Sequence, residues 1–595
     1  MSTYKAPLKD MQFVLFDVLQ SEKAFADMGF ADVNRELVDA VLEESARFCE
    51  TVLAPLNAVG DREGCKHDPV THDVQTPTGF DKAYKQYVEA GWPSLVSPPE
   101  LGGQGIPESV GCAVKDMINA SNLAWGNFPL LSHGAMHALL HHGDDWQKTI
   151  VLPHLIDGSW TGTMCLTEPQ CGTDLGLIKT KAVPNDDGTY SITGTKIFIT
   201  AGEHGLTDNI IHLVLAKLPD APEGSKGISL FIVPKFNVSE DGSIGDRNAV
   251  TCGSIEHKMG IHGSATCVMN FDNAKGYLVG SANRGLMAMF TMMNSARLGV
   301  GIQGLGLSDR ATQNALRYSR ERLQMRAATG PAFPDKPADP IIVHPDVRRM
   351  LLTNKALVEG SRVLAYAAGL AADGSNHHPD ASAREANDAL IGFLTPIAKA
   401  CITEWGIECT YNAMQCLGGH GYIAEHGLEQ LARDARITTM YEGTTGIQAL
   451  DLIGRKILQL QGSGMKVFGE DIKANIEASM ATELAPLASQ LAKIAGEWEV
   501  LTREIAGNAM KDPNEVGAAS FDYLMYSGYV VLAHYWLKSA RAALDANVSE
   551  DFRKAKSETA EFFFARLLPR TLTHAANIRS GARVLMQMPD ERFDA

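Results

Sequence analysis

Three runs rich in β-branched and aromatic residues, Tyr190–Thr200, Asn209–Lys217 and Ile228–Pro234, interrupt a chain otherwise patterned for helix. Such residues suit the pleated, half-buried surface of a sheet, and Asp186-Asp-Gly188 and Pro222-Glu-Gly224 supply turns beside them. Before them, Val38, Val41, Leu42, Ala46 and Phe48 recur at helical spacing, and a turn-rich break from Gly91 to Pro107 separates two helical regions. After them, helical signals run from Gly285 to Gln461, broken at residues 330–340, where the prolines forbid helix. Further on, Leu484, Leu487, Leu491, Ile494, Trp498, Leu501 and Ile505 alternate steps of three and four, the seam of a packed helix. Two more helices are predicted around 521–544 and 552–568, the last ended by Pro569. The boundaries that follow are a helical N-domain with catalytic material downstream of it: 1–160 helical, 161–283 β, 284–461 helical, and 462–595 an extra helical unit.

A chain of 595 residues is too long for one core, and 45% apolar content gives ample material for several. The net charge of −17 and the lack of clustered Lys and Arg beside aromatics argue against nucleic acid as a partner. Ten cysteines with no Cys-x-x-Cys pair fit reduced thiols, so a cytoplasmic location is expected. The first residues lack the basic start and apolar core of a signal peptide. The most apolar run, 523–537, is interrupted by Ser527, Gly528 and His534 and falls short of the roughly 20 residues a membrane span needs.

The segment Asp434-Ala-Arg-Ile-Thr-Thr-Met-Tyr-Glu-Gly-Thr-Thr-Gly-Ile-Gln448 isolates one carboxylate, Glu442. Walled by Ile437, Met440 and Tyr441 it would lose water, and its pKa would rise toward the range useful for taking a proton. The same string also fits an ordinary helix start with an acid in the first turn. Four other segments accompany it: 164–174 (Met-Cys-Leu-Thr-Glu-Pro-Gln-Cys-Gly-Thr-Asp), 196–200 (Lys-Ile-Phe-Ile-Thr), 322–325 (Arg-Leu-Gln-Met) and 415–421 (Gln-Cys-Leu-Gly-Gly-His-Gly).

In that order and spacing the five segments resemble the acyl-CoA dehydrogenase family, flavoenzymes that desaturate an acyl thioester next to its carbonyl. The resemblance covers roughly residues 30–460, and the extra helical unit is similar to the C-terminally extended bacterial subgroup. It implies a mainly α fold with an inserted β domain: helical N-domain, central β-barrel-like domain, helical-bundle C-domain and the extension. It also implies FAD, an acyl-CoA substrate, electron-transfer flavoprotein as acceptor and a homodimer; membrane contact of the extension, known in some relatives, is not expected. The substrate is either a fatty acyl-CoA of β-oxidation or 3-(methylthio)propanoyl-CoA. An acyl-CoA oxidase or flavin monooxygenase on the same scaffold is the alternative, and a scaffold with vestigial flavin motifs is a rival of another class.

Removing hydrogen from two adjacent saturated carbons needs a base and a hydride acceptor, and no side chain accepts hydride. The resemblance makes Glu442 the base and places Thr173, Arg297 and Tyr441 at the substrate. A variant of the family carries its acid on the helix that here reads Met292-Met-Asn-Ser-Ala-Arg297, which contains none. The resemblance further implies that Met164, Leu166, Thr167, Phe198, Ile199 and Thr200 border the flavin, and that Arg322, Gln415, Gly418, Gly419 and Thr444 reach its phosphate or adenosine half. Phe198 stands where a tryptophan is common, Gln170-Cys171 where Gly-Ala is common, and Gly446 where Gln or Glu is frequent. By themselves residues 196–200 also fit a plain alternating strand, and Arg297 a surface cation.

Two signals are discounted. Gly299-Val-Gly-Ile-Gln-Gly304 has the glycine spacing of a dinucleotide site but follows a helical run, so it reads as small residues letting two helices pack closely. His133, His137 and His141 share a helical face without an acid or thiol at matching spacing, and no metal is expected.

Overall fold

The computed structural model describes residues 3–595. They form two compact units. One comprises Arg47–Ile106 and Ser121–Gly299; the other comprises the N-terminal segment to Ala46, Pro107–Ala120 and Val300–Ala595. Neither unit is one consecutive stretch of chain, because packing does not follow element type. The long helix α1 (Glu108–His142) leaves helical geometry at Asn122 (φ −160°, ψ 89°), next to the point where one unit's residues give way to the other's. Helix α2 (Gly285–Glu321) likewise contributes residues to both.

The first unit is built on seven strands: β1 (Trp160–Cys165), β2 (Lys181–Pro184), β3 (Tyr190–Thr200), β4 (Asn209–Lys217), β5 (Ile228–Pro234), β6 (Val250–Ile255) and β7 (Thr266–Val279). The three strands expected from sequence occur with the expected bounds. β7 pairs β3 along its first part and β5 along its last; β5 pairs β4, and β4 touches β2, which pairs β3. Those pairings close a ring of five strands, the barrel-like domain anticipated, with β6 and a parallel β1 attached outside it. Strand β5 is buried along its whole length and β4 along all but its last residue, so their continuous apolar runs sit at the centre rather than on a half-wet face.

The second unit is helical. Its core pairs α3 (Pro345–His377) with α4 (Ala381–Leu417), followed by α5 (Leu428–Thr438) and the short α6 (Thr445–Leu450). The C-terminal part of α2 packs closely on α4: a Cβ on Gly301 would lie 2.9 Å from the Ala398 carbonyl oxygen, and one on Gly304 3.0 Å from Thr403 Cα. The glycine pattern at 299–304 is therefore a helix-packing device. The extension contains α7 (Ser463–Ser479), which the sequence reading missed, α8 (Ala485–Ala509), α9 (Asn514–Asp545) and α10 (Glu550–Phe562). On α8, Leu491, Trp498, Leu501 and Ile505 are buried as the seam requires.

The extension is bound to its own unit by buried charge. Lys556 of α10 donates to Glu359 of α3 at 2.7 Å and to Asp10 of the N-terminal segment. Arg362 of α3 reaches Asp10 at 2.6 Å and Asp116 at 3.0 Å. Burial pushes the carboxyl of Asp10 up, but the charges of Lys556 and Arg362 outweigh it and hold that group far below the usual carboxylate range. Among the described residues one helical stretch, Ala381–Tyr422, is long and apolar enough to cross a membrane by length and composition; 72% of its most apolar window is buried, as in the core helix of a packed bundle, and the run 523–537, too short to span, is buried within the extension.

Candidate active site

The turn after α5 carries Glu442, and its geometry follows from what holds its carbonyls. Glu442 has φ +56° and Gly443 φ +85°, two successive left-handed residues, of which only the glycine is free of Cβ strain. Gln448 of α6 donates Nε2 to the Glu442 carbonyl at 2.9 Å. Lys399 of α4, wholly buried, donates Nζ to the Gly443 carbonyl at 2.6 Å. The turn is closed by the Thr445 N–H on the Thr439 carbonyl (3.1 Å) and by the Thr445 hydroxyl, which donates to Glu404 at 2.6 Å. A non-glycine residue kept left-handed by surrounding bonds is strain of order 1–3 kcal/mol, and such strain gathers at functional sites.

Tyr441 directs its hydroxyl away from the turn surface, donating to Gln303 of α2; burial, with the charge of Glu442 adding, pushes the phenol far above its ordinary pKa. Its place beside Glu442 is thus set by packing, and its hydroxyl already has a partner. Met440 is exposed and Glu442 half-buried, so the apolar wall expected around the carboxylate is thinner than the sequence suggested. Thr444 caps α6, its hydroxyl accepting from the Ile447 N–H, a task the sequence reading did not give it.

The β unit supplies a second locus. Met164, next to last in β1, is half-buried, Leu166 is buried, and Thr167 is half-buried with its carbonyl accepting from the Ile197 N–H at 2.9 Å. That bond ties the 164–174 loop to β3. Opposite β7 the register of β3 slips between Lys196 and Ile199, and in the slip Phe198 turns left-handed (φ +60°). Its ring is 59% exposed, whereas Ile199 points into the core and Thr200 is half-buried. The bulge thus interrupts the alternation of an ordinary strand and sets an aromatic ring on the surface. Thr173 is exposed at the end of the loop. Arg297 is buried on α2, which overturns its reading as a surface cation.

Glu168 and Lys196 fix the shape of that loop. Lys196, with no exposed surface, donates Nζ to Glu168 at 2.9 Å and to the Leu166 carbonyl at 3.0 Å. Glu168 also accepts from the N–H groups of Lys179 (2.6 Å) and Thr180 (3.0 Å) and from the Thr180 hydroxyl (2.6 Å). Burial raises the carboxyl, but Lys196 and these hydrogen bonds outweigh it and hold Glu168 at about 2. Lys196 is itself lowered by burial, more than Glu168 restores, so the cation bears a net desolvation cost. Glu168, Lys399 and Gln448 were not singled out from sequence; the signal available was a lone charge inside an apolar run, as in Thr395-Pro-Ile-Ala-Lys-Ala-Cys-Ile402, which demands a buried partner.

The remaining candidates lie in the helical unit. Arg322 is exposed just beyond α2, and the loop after it is held by Asp339, which accepts from the N–H groups of Ala327, Ala332 and Phe333. Gln415, Gly418 and Gly419 are exposed where α4 ends. Gly418 takes φ +58°, ψ −136°, a conformation open essentially to glycine alone, and a Cβ at either glycine would meet nothing within 4 Å. A flavin dinucleotide needs an apolar surface for its ring, hydroxyl donors beside it, and cation and bare backbone for its phosphates. In the β unit the exposed Phe198 and the half-buried Thr167 and Thr200 match the ring part of that need, and in the helical unit Arg322 and the open glycine turn, taken by themselves, match the phosphate part.

A carboxylate on a strained turn can serve as a base, and an aromatic ring exposed on a strained bulge can cover a planar cofactor. Four family models match in sequence: the acyl-CoA dehydrogenase N-terminal domain at residues 36–159, middle domain at 163–274, C-terminal domain at 283–458, and the acetyl-CoA dehydrogenase C-terminal-like domain at 468–589. A 3-methylmercaptopropionyl-CoA dehydrogenase of Ruegeria pomeroyi is 44% identical over 95% of this chain and 96% of its own. The broad-specificity linear acyl-CoA dehydrogenase FadE5 of Mycobacterium tuberculosis is 35% identical over the whole of both chains. The structure of Caenorhabditis elegans ACDH-11 in complex with C11-CoA shares the fold, with a TM-score of 0.79 at 20% identity over 94% of this chain and 91% of that one. The chain belongs to the acyl-CoA dehydrogenase family, with its C-terminal extension. It is an FAD-dependent oxidoreductase acting on a CH–CH group.

Proposed function

We propose that the protein dehydrogenates a short linear acyl-CoA thioester, 3-(methylthio)propanoyl-CoA foremost, to the trans-2-enoyl-CoA, with Glu442 taking the α proton. The observation that carries this is the Glu442 turn, where a carboxylate is kept in a strained conformation by bonds to its own and the next carbonyl. Strain maintained from two helices fixes where the carboxylate can point, and a positioned base is worth about 10²–10⁴-fold in rate. FAD supplies the acceptor for the β hydrogen and its electron pair. Phe198, Thr167 and Thr200 would hold its ring, with Met164, Leu166 and the Ile199 backbone behind them; Arg322, Gln415, Gly418 and Gly419 would hold its phosphate and adenosine half. Thr173 and Arg297 are assigned to the substrate.

The choice of substrate rests on the 44% identity to the Ruegeria enzyme across nearly the whole of both chains. Electron-transfer flavoprotein is proposed as the acceptor, a homodimer as the assembly and the cytoplasm as the location. The test is a panel of acyl-CoA thioesters from propanoyl to palmitoyl, plus the methylthio substrate, with an artificial electron acceptor and a parallel assay for peroxide. Highest kcat/KM for the methylthio or butanoyl thioester without peroxide is expected; a maximum at long chains would remove the substrate assignment, and stoichiometric peroxide would make the protein an oxidase. Glu442→Gln should keep the flavin yellow and stop its bleaching by substrate, with kcat down at least about 10³-fold, and bleaching at the parent rate would move the base elsewhere.

A further inference from the structure

We propose that Lys399 is a positioning residue for the base, acting through the Gly443 carbonyl, a role resting on the assignment of Glu442 above. The helix α4 grips the turn at two points a little over one helical turn apart: Lys399 donates to the Gly443 carbonyl and Glu404 accepts from the Thr445 hydroxyl. Gln448 holds the Glu442 carbonyl from the other side. Together these bonds orient the peptide planes on both sides of Gly443, so they fix that left-handed glycine and the plane on the C-terminal side of Glu442, one of the two that set its backbone. A neutral donor could orient the same carbonyl. An ammonium makes a charge-assisted bond, roughly twice as strong, and that difference suits a turn that must hold a strained residue.

The location of the lysine adds to the argument. Lys399 lies in an apolar stretch of α4 with no exposed surface, where a cation is costly unless its bonds repay the lost hydration. A residue serving stability alone would be better replaced by leucine or methionine at such a position. What methionine cannot supply is a donor to the carbonyl that follows the base. Gly443 belongs to the same device: a Cβ there would lie 2.6 Å from Gln448 Nε2, so any other residue would displace the amide that holds the Glu442 carbonyl.

The test uses flavin-loaded holoenzyme and butanoyl-CoA with and without deuterium at C2. In Lys399→Met the carboxylate keeps its chemistry but loses its aim, and misplacement by about 1 Å costs on the order of 10²-fold. We therefore expect kcat to fall about 10²-fold, KM to change less than threefold, and the α-deuterium isotope effect on kcat to rise because proton removal becomes the slow step. Lys399→Arg, which keeps a cationic donor, should recover part of kcat and lower the isotope effect again. Should Lys399→Met fail to fold, Gln448→Leu probes the same turn without deleting a buried charge and should show the same rise in isotope effect. An unchanged isotope effect with kcat within twofold of the parent in a folded variant overturns the proposal, as does a fall in kcat matched by equal loss of flavin. Glu442→Gln is run beside these: activity there sinks the assignment of the base, whereas an inactive Glu442→Gln with a fully active Lys399→Met sinks only the role of the lysine.

Discussion

The turn at Glu442 and the bulge at Phe198 solve the same problem with opposite electrostatics. Each sets one side chain by forcing a non-glycine residue left-handed, and each is braced by a lysine with no exposed surface. At the bulge the lysine meets a full carboxylate, Glu168, that also gathers two backbone N–H groups and a hydroxyl. At the turn Lys399 donates to a peptide carbonyl, an uncharged acceptor, among its interactions. A cation facing a carboxylate is a fold-stabilising pair that fails badly when one partner goes, because the other is left charged and buried. The carbonyl that Lys399 holds carries no charge of its own to be stranded when the donor is removed. Damage at the β locus should therefore appear first as lost stability, and damage at the helical locus first as lost rate.

The largest expected effect breaks the comparison at its β side. Glu168→Gln keeps the shape and part of the hydrogen bonding but strands Lys196, and should destabilise the β unit by about 3–5 kcal/mol, seen as early unfolding in a denaturant titration and poor flavin retention. Adding Lys196→Met should restore much of that loss, since no buried charge then remains. If the single variant unfolds with the parent, the pair is not what braces the loop. The same pair sets an acid limit. Glu168 is held at about 2 against an ordinary value of 4.5, so the unfolded chain takes up the proton first as pH falls. Its contribution is complete above about pH 4.5 and is lost between there and pH 2, up to about 3 kcal/mol, less what the burial of Lys196 offsets. Glu168→Gln should flatten that part of a stability-against-pH curve.

The two loci also differ in how far sequence could foretell them. The strands β3, β4 and β5 were readable because uninterrupted β-branched runs between turn residues have few other uses, and their bounds came out as read. The residues named for the flavin and the base came from resemblance to a family, which implies that they matter but not what holds them. Nothing in Lys196-Ile-Phe-Ile-Thr200 announces that Phe198 sits in a register slip, because a bulge depends on the partner strand. Lys399 lies 43 positions before Glu442 on a helix that by pattern is simply apolar, and its contact with Gly443 exists only in three dimensions. Helix α7 was missed for a related reason. Its buried positions, Gly464, Phe468, Ile472, Asn475 and Ser479, include only two large apolar side chains, where α8 buries Leu491, Trp498, Leu501 and Ile505.

A smaller effect sharpens the comparison. Phe198 is largely exposed, so deleting its ring removes little buried surface, while glycine relieves a left-handed strain of about 1–2 kcal/mol. The greater freedom of glycine in the unfolded chain takes back roughly 0.5–1 kcal/mol. Phe198→Gly should thus leave stability unchanged or raise it by up to about 1 kcal/mol, while FAD binding weakens in fluorescence titration. A stabilised protein with normal flavin affinity would mean that the ring serves neither fold nor cofactor.

The smallest expected effect is on the helical side and separates two tasks of one residue. The Thr444 hydroxyl accepts from the Ile447 N–H at 3.3 Å, a long bond, and caps a helix of six residues. Losing such a cap costs about 0.5–1 kcal/mol, felt locally because α6 carries Gln448, one of the two donors to the base turn. Thr444→Ala should speed amide exchange at Ile447 and Gln448 by roughly threefold to fivefold, with kcat lowered by a similar factor and FAD affinity intact, whereas Thr444→Ser should behave as the parent. If flavin affinity drops while exchange at α6 stays slow, the hydroxyl serves the cofactor, and the helical locus shares the duty proposed for the ring at Phe198.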